Sequence, residues 1–81
     1  MNLKIKASDI VQDKEYHILG FEDSDLQINL VEIGIMVGKS IILRHKAPLH
    51  GAIAFEVDGN MVCMRPSEAE LIITEPLDSA I

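Results

Sequence analysis

The residues most capable of chemistry are two histidines, a cluster of sulfur atoms and a short glycine-lysine-serine run. His45 and His50 flank "KAPL", with four residues between them. A metal centre needs three or four converging ligands, usually at tighter local spacing. His17 and Cys63 join such a set only through tertiary placement, so His45 and His50 read as exposed strand-end and loop side chains. "MVCM" (Met61 to Met64) holds three soft sulfur atoms of the kind that bind Cu(I). Strand alternation sends Met61 and Cys63 one way and Met64 the other, which favours packing. "GIMVGKS" ends in Gly38-Lys39-Ser40, but it has three residues between its glycines where a phosphate cradle has four. It also follows a helix and enters a strand, the reverse of the cradle's order. No nucleophile elbow occurs, and two of the five serines, Ser24 and Ser67, are accounted for as helix caps. The expectation is a protein without catalytic residues and without a resident cofactor; His45 and His50 are at most weak metal candidates.

The elements that position these groups follow from local patterning. Residues 3–14 are weakly patterned and suit a strand end or short helical turn. "EYHILGF" (15–21) is aromatic and apolar and ends beside a glycine, as a strand would. "EDSDLQINLVEIG" reads as a helix. Ser24 and Gln27 have capping-box spacing, Asp25 faces the first-turn N–H groups, and Leu26, Leu30 and Ile33 form an apolar stripe. Gly34 then stands where a left-handed residue ends a helix at least cost.

From Lys39 the period becomes two. "KSIILRHK" is a strand and "APLHGA" a loop. "IAFEVDGNMVCMR" is a hairpin on an Asp58-Gly59 turn, pairing Val57 with Asn60, Phe55 with Val62 and Ile53 with Met64. Its core face is Ile53, Phe55, Val57, Val62 and Met64. Ser67 to Glu70 is a second capping-box spacing, predicting one helical turn before a last strand, "LIIT", and a frayed tail over 75–81.

At 81 residues the chain is a single domain over 1–81, with its core expected at about 15–74. Such a domain buries about 60–65% of its unfolded surface. The economical arrangement for five or six short strands and one α-helix is a small SH3-like β-barrel, mainly β, with the helix over one opening. Leu30, Ile33, Ile41, Leu43, Phe55, Val62 and Met64 are its expected buried residues.

The net charge of −6 opposes nucleic acid as a partner, and Tyr16, Phe21 and Phe55 are too few for a base-stacking platform. No apolar run approaches the roughly 18 residues of a membrane span, and the N-terminus lacks the apolar region of a signal peptide. Cys63, the single cysteine, excludes an internal disulfide. A cytoplasmic domain without direct membrane insertion is expected.

Against this acidic background, Lys39, Arg44 and Lys46 surround one strand. Arg65, placed by register opposite Ala52, adjoins the "APLHG" loop, so that the basic residues would form a cationic rim for an acidic partner surface. Ala47, Pro48, Leu49, His50, Gly51 and Arg65 are therefore the expected partner-binding residues, with Glu32 and Gly34 at the edge. Leu49 has no place in the barrel's alternation; it is either a partner anchor or a plug for the barrel end. Exposed barrel edges also leave room for a homodimer.

In their order and spacing, "L-V-E-I-G-I-x-x-G-x-x-I-x-L" (30–43), "A-P-L" (47–49) and "V-x-M-R-x-x-E-A-x-x-I" (62–72) resemble the FeoA domain family. The likeness spans roughly Glu15 to Thr74. Val37 and Ala52 stand where members often carry proline, and Pro66 where they often carry a second basic residue. The resemblance implies a small SH3-like barrel and a non-enzymatic accessory role in ferrous-iron uptake, and, because the family works near iron, a weak ferrous-iron site at His45 and His50 as the most that this chain would hold. It implies docking on the cytoplasmic part of a FeoB-like transporter. Related domains form the C-terminal modules of iron- or manganese-dependent repressors, which gives the alternative of a free-standing metal- or ligand-sensing regulatory domain.

Overall fold

A computed structural model of the chain describes residues 3–22 and 27–77. The strands are β1 (Ile5–Lys6), β2 (Glu15–Phe21), β3 (Ser40–Lys46), β4 (Ile53–Val57), β5 (Asn60–Met64) and β6 (Ile72–Pro76). They form one antiparallel sheet in the order β1-β6-β2-β3-β4-β5. Helix α1 (Gln27–Glu32) connects β2 to β3, and the four-residue α2 (Pro66–Ala69) connects β5 to β6. Bulges between Ile18 and Gly20 and between Leu43 and His45 put irregularities in two central strands. Bulges bend a strand and increase its twist, so the sheet curls around one core in the SH3-like manner.

The hairpin forms in the expected register, with Ile53 opposite Met64, Phe55 opposite Val62 and Val57 opposite Asn60. Asp58 and Gly59 both take positive φ, 52° and 87°, as a type I′ turn requires. Ile53, Phe55, Val57 and Met64 are buried, and Val62 packs against the core while partly exposed. Met61 and Cys63 lie exposed on the other face, so the sulfur atoms diverge.

The helix ends as a Schellman motif, and this corrects one expected core position. The N–H of Ile35 donates to the carbonyl of Leu30 at 3.0 Å, and that of Gly34 to Val31 at 3.0 Å, with Gly34 at φ 97°. That pattern pairs the side chain after the left-handed residue with the one five positions before it. Leu30 and Ile35 are accordingly both fully buried, whereas Ile33 at the cap is 47% exposed. Ser24, Asp25 and Leu26, expected to open this helix, lie outside the described residues.

Two further boundaries shift. The expected cap pair Ser67 and Glu70 gives way to Arg65 at the N-cap with Pro66 in the first turn. The Glu68 carboxylate accepts from the Arg65 N–H at 2.9 Å. Pro66 suits the first helical position because its missing N–H has no intrahelical acceptor there. The packed domain also extends beyond 15–74. β1 pairs with β6, Ala7 and Ile10 are buried, and Thr74 Oγ1 donates to the Ile5 carbonyl at 2.7 Å. The Tyr16 hydroxyl accepts from the nearby Val11 N–H at 3.1 Å, and the Asp13 N–H donates to the Leu43 carbonyl at 2.8 Å, so residues 5–14 are tied to β3 and β6 as well as to their own neighbours.

Candidate binding surface at the β3–β4 turn

β3 and β4 are joined by a loop that closes on itself. The Ala47 N–H donates to the Ala52 carbonyl at 3.0 Å, and the Gly51 N–H to the Pro48 carbonyl at 3.2 Å. Within that inner turn Leu49 and His50 take φ of 59° and 58°. Positive φ crowds the β-carbon of any residue other than glycine and costs roughly 1–2 kcal/mol per residue. Here it falls on a leucine and a histidine. The result is an apolar side chain held out from a closed turn: Leu49 is 96% exposed. Of its two expected roles, plugging the barrel end is thereby removed.

Gly51 is required by space. A β-carbon built there would stand 2.8 Å from the β-carbon of Ala47 and 3.1 Å from the Pro48 carbonyl oxygen. Behind the turn lies a cleft of about 400 Å³ lined by Lys46, Ala47, His50 and Gly51 on the loop side. Ser8 and Asp9 face it from the 3-10 turn Ala7–Asp9, and Pro66 and Glu70 from the α2 region. Ser8, Asp9 and Glu70 were not expected here. Their approach depends on long-range packing, for which the sequence carries no local signal.

Arg65 directly follows Met64, which pairs with Ile53 at the start of β4. It is exposed at the same end of the sheet as the loop, as its register implied. Glu32 and Gly34 are not brought there. The chain enters β3 from the Gly34–Lys39 segment and leaves it into the loop, so the strand's seven residues separate the two. At about 3.3 Å per residue the two ends stand on the order of 20 Å apart.

The cationic rim is reduced to Lys46 and Arg65. Lys39 pairs with Asp58 at 3.4 Å, and Arg44 pairs with Asp13 and Glu56, each at 3.0 Å. The side-chain hydrogen bonds to Asp13 and then Glu56 raise the Arg44 pKa, so this guanidinium stays charged at any working pH. Lys46 Nζ donates to the Ser8 carbonyl at 2.7 Å, closing one side of the cleft. Among the described residues Arg65 has no carboxylate partner for its side chain.

His45 sits in β3 opposite Ala54, while His50 lies in the turn. Among the described residues no group of three or more His, Cys, Asp or Glu side chains is placed to hold a metal ion. No helix among them is long and apolar enough to cross a membrane. An apolar strip that sequence patterning missed runs over Val31, Ile33, Met36 and Val37, each 46–61% exposed.

The family model for the FeoA domain matches residues 5–76. Among solved structures, the FeoA-like protein of Clostridium acetobutylicum superposes with a TM-score of 0.86 at 26% identity, covering 100% of this chain and 95% of that one. FeoA of Stenotrophomonas maltophilia, solved with zinc and described as an SH3 domain protein, gives 0.73 at 19% identity, covering 86% and 88%. A manganese-dependent transcriptional repressor gives 0.84 at 16% identity over 95% of this chain and 44% of its own length. These last two likenesses concern the fold. No curated protein matches the sequence significantly.

Proposed function

This chain belongs to the FeoA domain family, a family of iron transport, and on that premise we propose that it is a non-enzymatic accessory protein of ferrous-iron uptake. It docks through the Ala47–Gly51 loop and Arg65 on the cytoplasmic part of a FeoB-like transporter. The carrying observation is Leu49, 96% exposed on a turn that holds two non-glycine residues at positive φ. Strained backbone persists where the surrounding structure over-determines it, and it collects at binding sites. A closed turn also loses little conformational freedom on association, so more of the contact energy appears as affinity. Arg65, exposed at the same end of the sheet and without a carboxylate partner among the described residues, adds a cation of the side-chain type enriched in binding hot spots.

Titration of the purified cytoplasmic domain of the transporter tests this reading. Leu49→Ala should weaken binding by about tenfold or more, which corresponds to about 1.4 kcal/mol, with an unchanged melting temperature. If Leu49→Ala and Arg65→Ala both bind as the parent does, the docking surface lies elsewhere.

The fold shared with a manganese-dependent repressor supports a second reading, a free-standing metal- or ligand-sensing domain. Anaerobic calorimetry with ferrous, manganous and zinc ions separates the two. Micromolar binding abolished by changing His45 and His50 would favour the sensor.

A further inference from the structure

The sheet's two edges are built differently. β1 is two residues long, contains Lys6 and follows Lys4. Shortness and lysine are devices that keep an edge from pairing with another chain. β5, the other edge, is five residues long and reads Asn-Met-Val-Cys-Met, with neither charge nor proline. Among the described residues its ladder runs to β4 alone.

The turn fixes which backbone groups point outward. A two-residue hairpin loop makes its flanking residues a hydrogen-bonded pair, here Val57 and Asn60, and such pairs alternate along the ladder. Asn60, Val62 and Met64 therefore spend their N–H and C=O groups on β4. Those of Met61 and Cys63 point out of the edge. Both side chains are exposed, Met61 by 59%.

We propose that β5 pairs antiparallel with β5 of a second copy, about a two-fold axis through Val62. Met61 then exchanges N–H···O bonds with Cys63 of the other copy on each side of the axis, and the sheet continues across the junction. A second copy fits because the edge is complementary to itself. Arg65 follows one end of β5, and Asp58, which pairs with Lys39 at 3.4 Å yet keeps its side chain 62% exposed, precedes the other. With Val62 opposite Val62, Arg65 of each copy faces Gly59 of its mate, one residue from Asp58. Opposite charges thus meet at both ends, as an isologous contact requires.

Sedimentation velocity on the full chain, from micromolar to millimolar concentration, reads the association. The parent should show a monomer–dimer equilibrium. Met61→Lys places a cation on the exposed edge and should leave only monomer with an unchanged melting temperature; Met61→Glu is the second edge variant. Met61→Cys sets a thiol opposite Cys63 of the mate, where the roughly 5.5 Å Cα separation of a hydrogen-bonded pair suits a disulfide. Oxidation of that variant should give a covalent dimer, whereas the parent's Cys63, displaced along the strand from its own mate, should not link. A chain monomeric throughout, or a dimer surviving both edge charges, overturns the pairing. A dimer lost in Met61→Lys yet unlinked in Met61→Cys overturns the register. Arg65 is common to both surfaces, but Leu49 takes no part in this contact, so Leu49→Ala judges transporter docking separately from either result.

Discussion

Gly51 lies so close to Ala47 that a β-carbon at residue 51 would meet the Ala47 β-carbon at 2.8 Å. This contact makes the loop a closed unit and sets the exit angle of the turn carrying Leu49. Gly51→Ala should destabilise the chain by about 1–3 kcal/mol through overpacking, read as a fall in denaturation midpoint. Adding Ala47→Gly removes the tighter contact but leaves the Pro48 carbonyl at 3.1 Å, so the double variant should recover part of the loss. Strictly additive effects would show that the two positions are not coupled.

Leu30 and Ile35 are the side chains that fasten α1, since the Schellman end brings them together in the core. Leu30→Ala and Ile35→Ala should each cost ~2–5 kcal/mol. Ile33→Ala should cost under ~1 kcal/mol, the ordinary range for a side chain away from the core. Equilibrium denaturation of the three variants checks the ranking, and an Ile33 effect as large as that of Leu30 would contradict this helix end.

The difference between Ile33 and Ile35 shows what local pattern conveys. Gly34 announced the helix end, because only a residue tolerant of positive φ sits there cheaply. A period of 3.6 carried up to that glycine then chose Ile33, since it has no means of representing the reversal that hands burial to Ile35. The hairpin was legible for the opposite reason: Asp58-Gly59 fixes turn type, register and face together. Residues 5–14 carried no such signal. The burial of Ala7 and Ile10 comes with pairing to β6 and β3, partners reached only after the chain has folded. At the candidate surface, the Arg65 position followed from register. The backbone of Leu49 and His50 did not, because neither residue advertises a left-handed conformation.

Val37 is exposed at the second position of a turn in which the Lys39 N–H donates to the Met36 carbonyl at 3.2 Å. Gly38, at φ 92°, occupies the third position, as in a type II turn, and its N–H donates to the Ile18 carbonyl at 2.9 Å. Proline suits the second position of that turn, and the Val37 N–H has no acceptor among the described residues. Val37→Pro should therefore stabilise by about 0.4–1 kcal/mol, chiefly by restricting the unfolded chain. A lower melting temperature would show that the turn is of another type.

Leu49 should separate stability from binding, because its backbone is strained while its side chain touches almost nothing. Leu49→Gly relieves the left-handed strain, worth roughly 1–2 kcal/mol. Against this stands glycine's extra freedom when unfolded, about 0.5–1 kcal/mol. The net expectation is a melting temperature that holds or rises. Leu49→Ala keeps the strained backbone and removes the side chain, so it should leave the melting temperature where it was. Both variants should nevertheless lose affinity for the transporter's cytoplasmic domain by more than ~1–2 kcal/mol, as an anchor residue does. The glycine variant should lose more, since it also frees the turn that presents the anchor. Thermal melts and binding titrations on the same preparations give the two readouts. If Leu49→Gly melts well below the parent, the side chain is packing rather than waiting for a partner, and the loop's assignment as the docking surface fails with it.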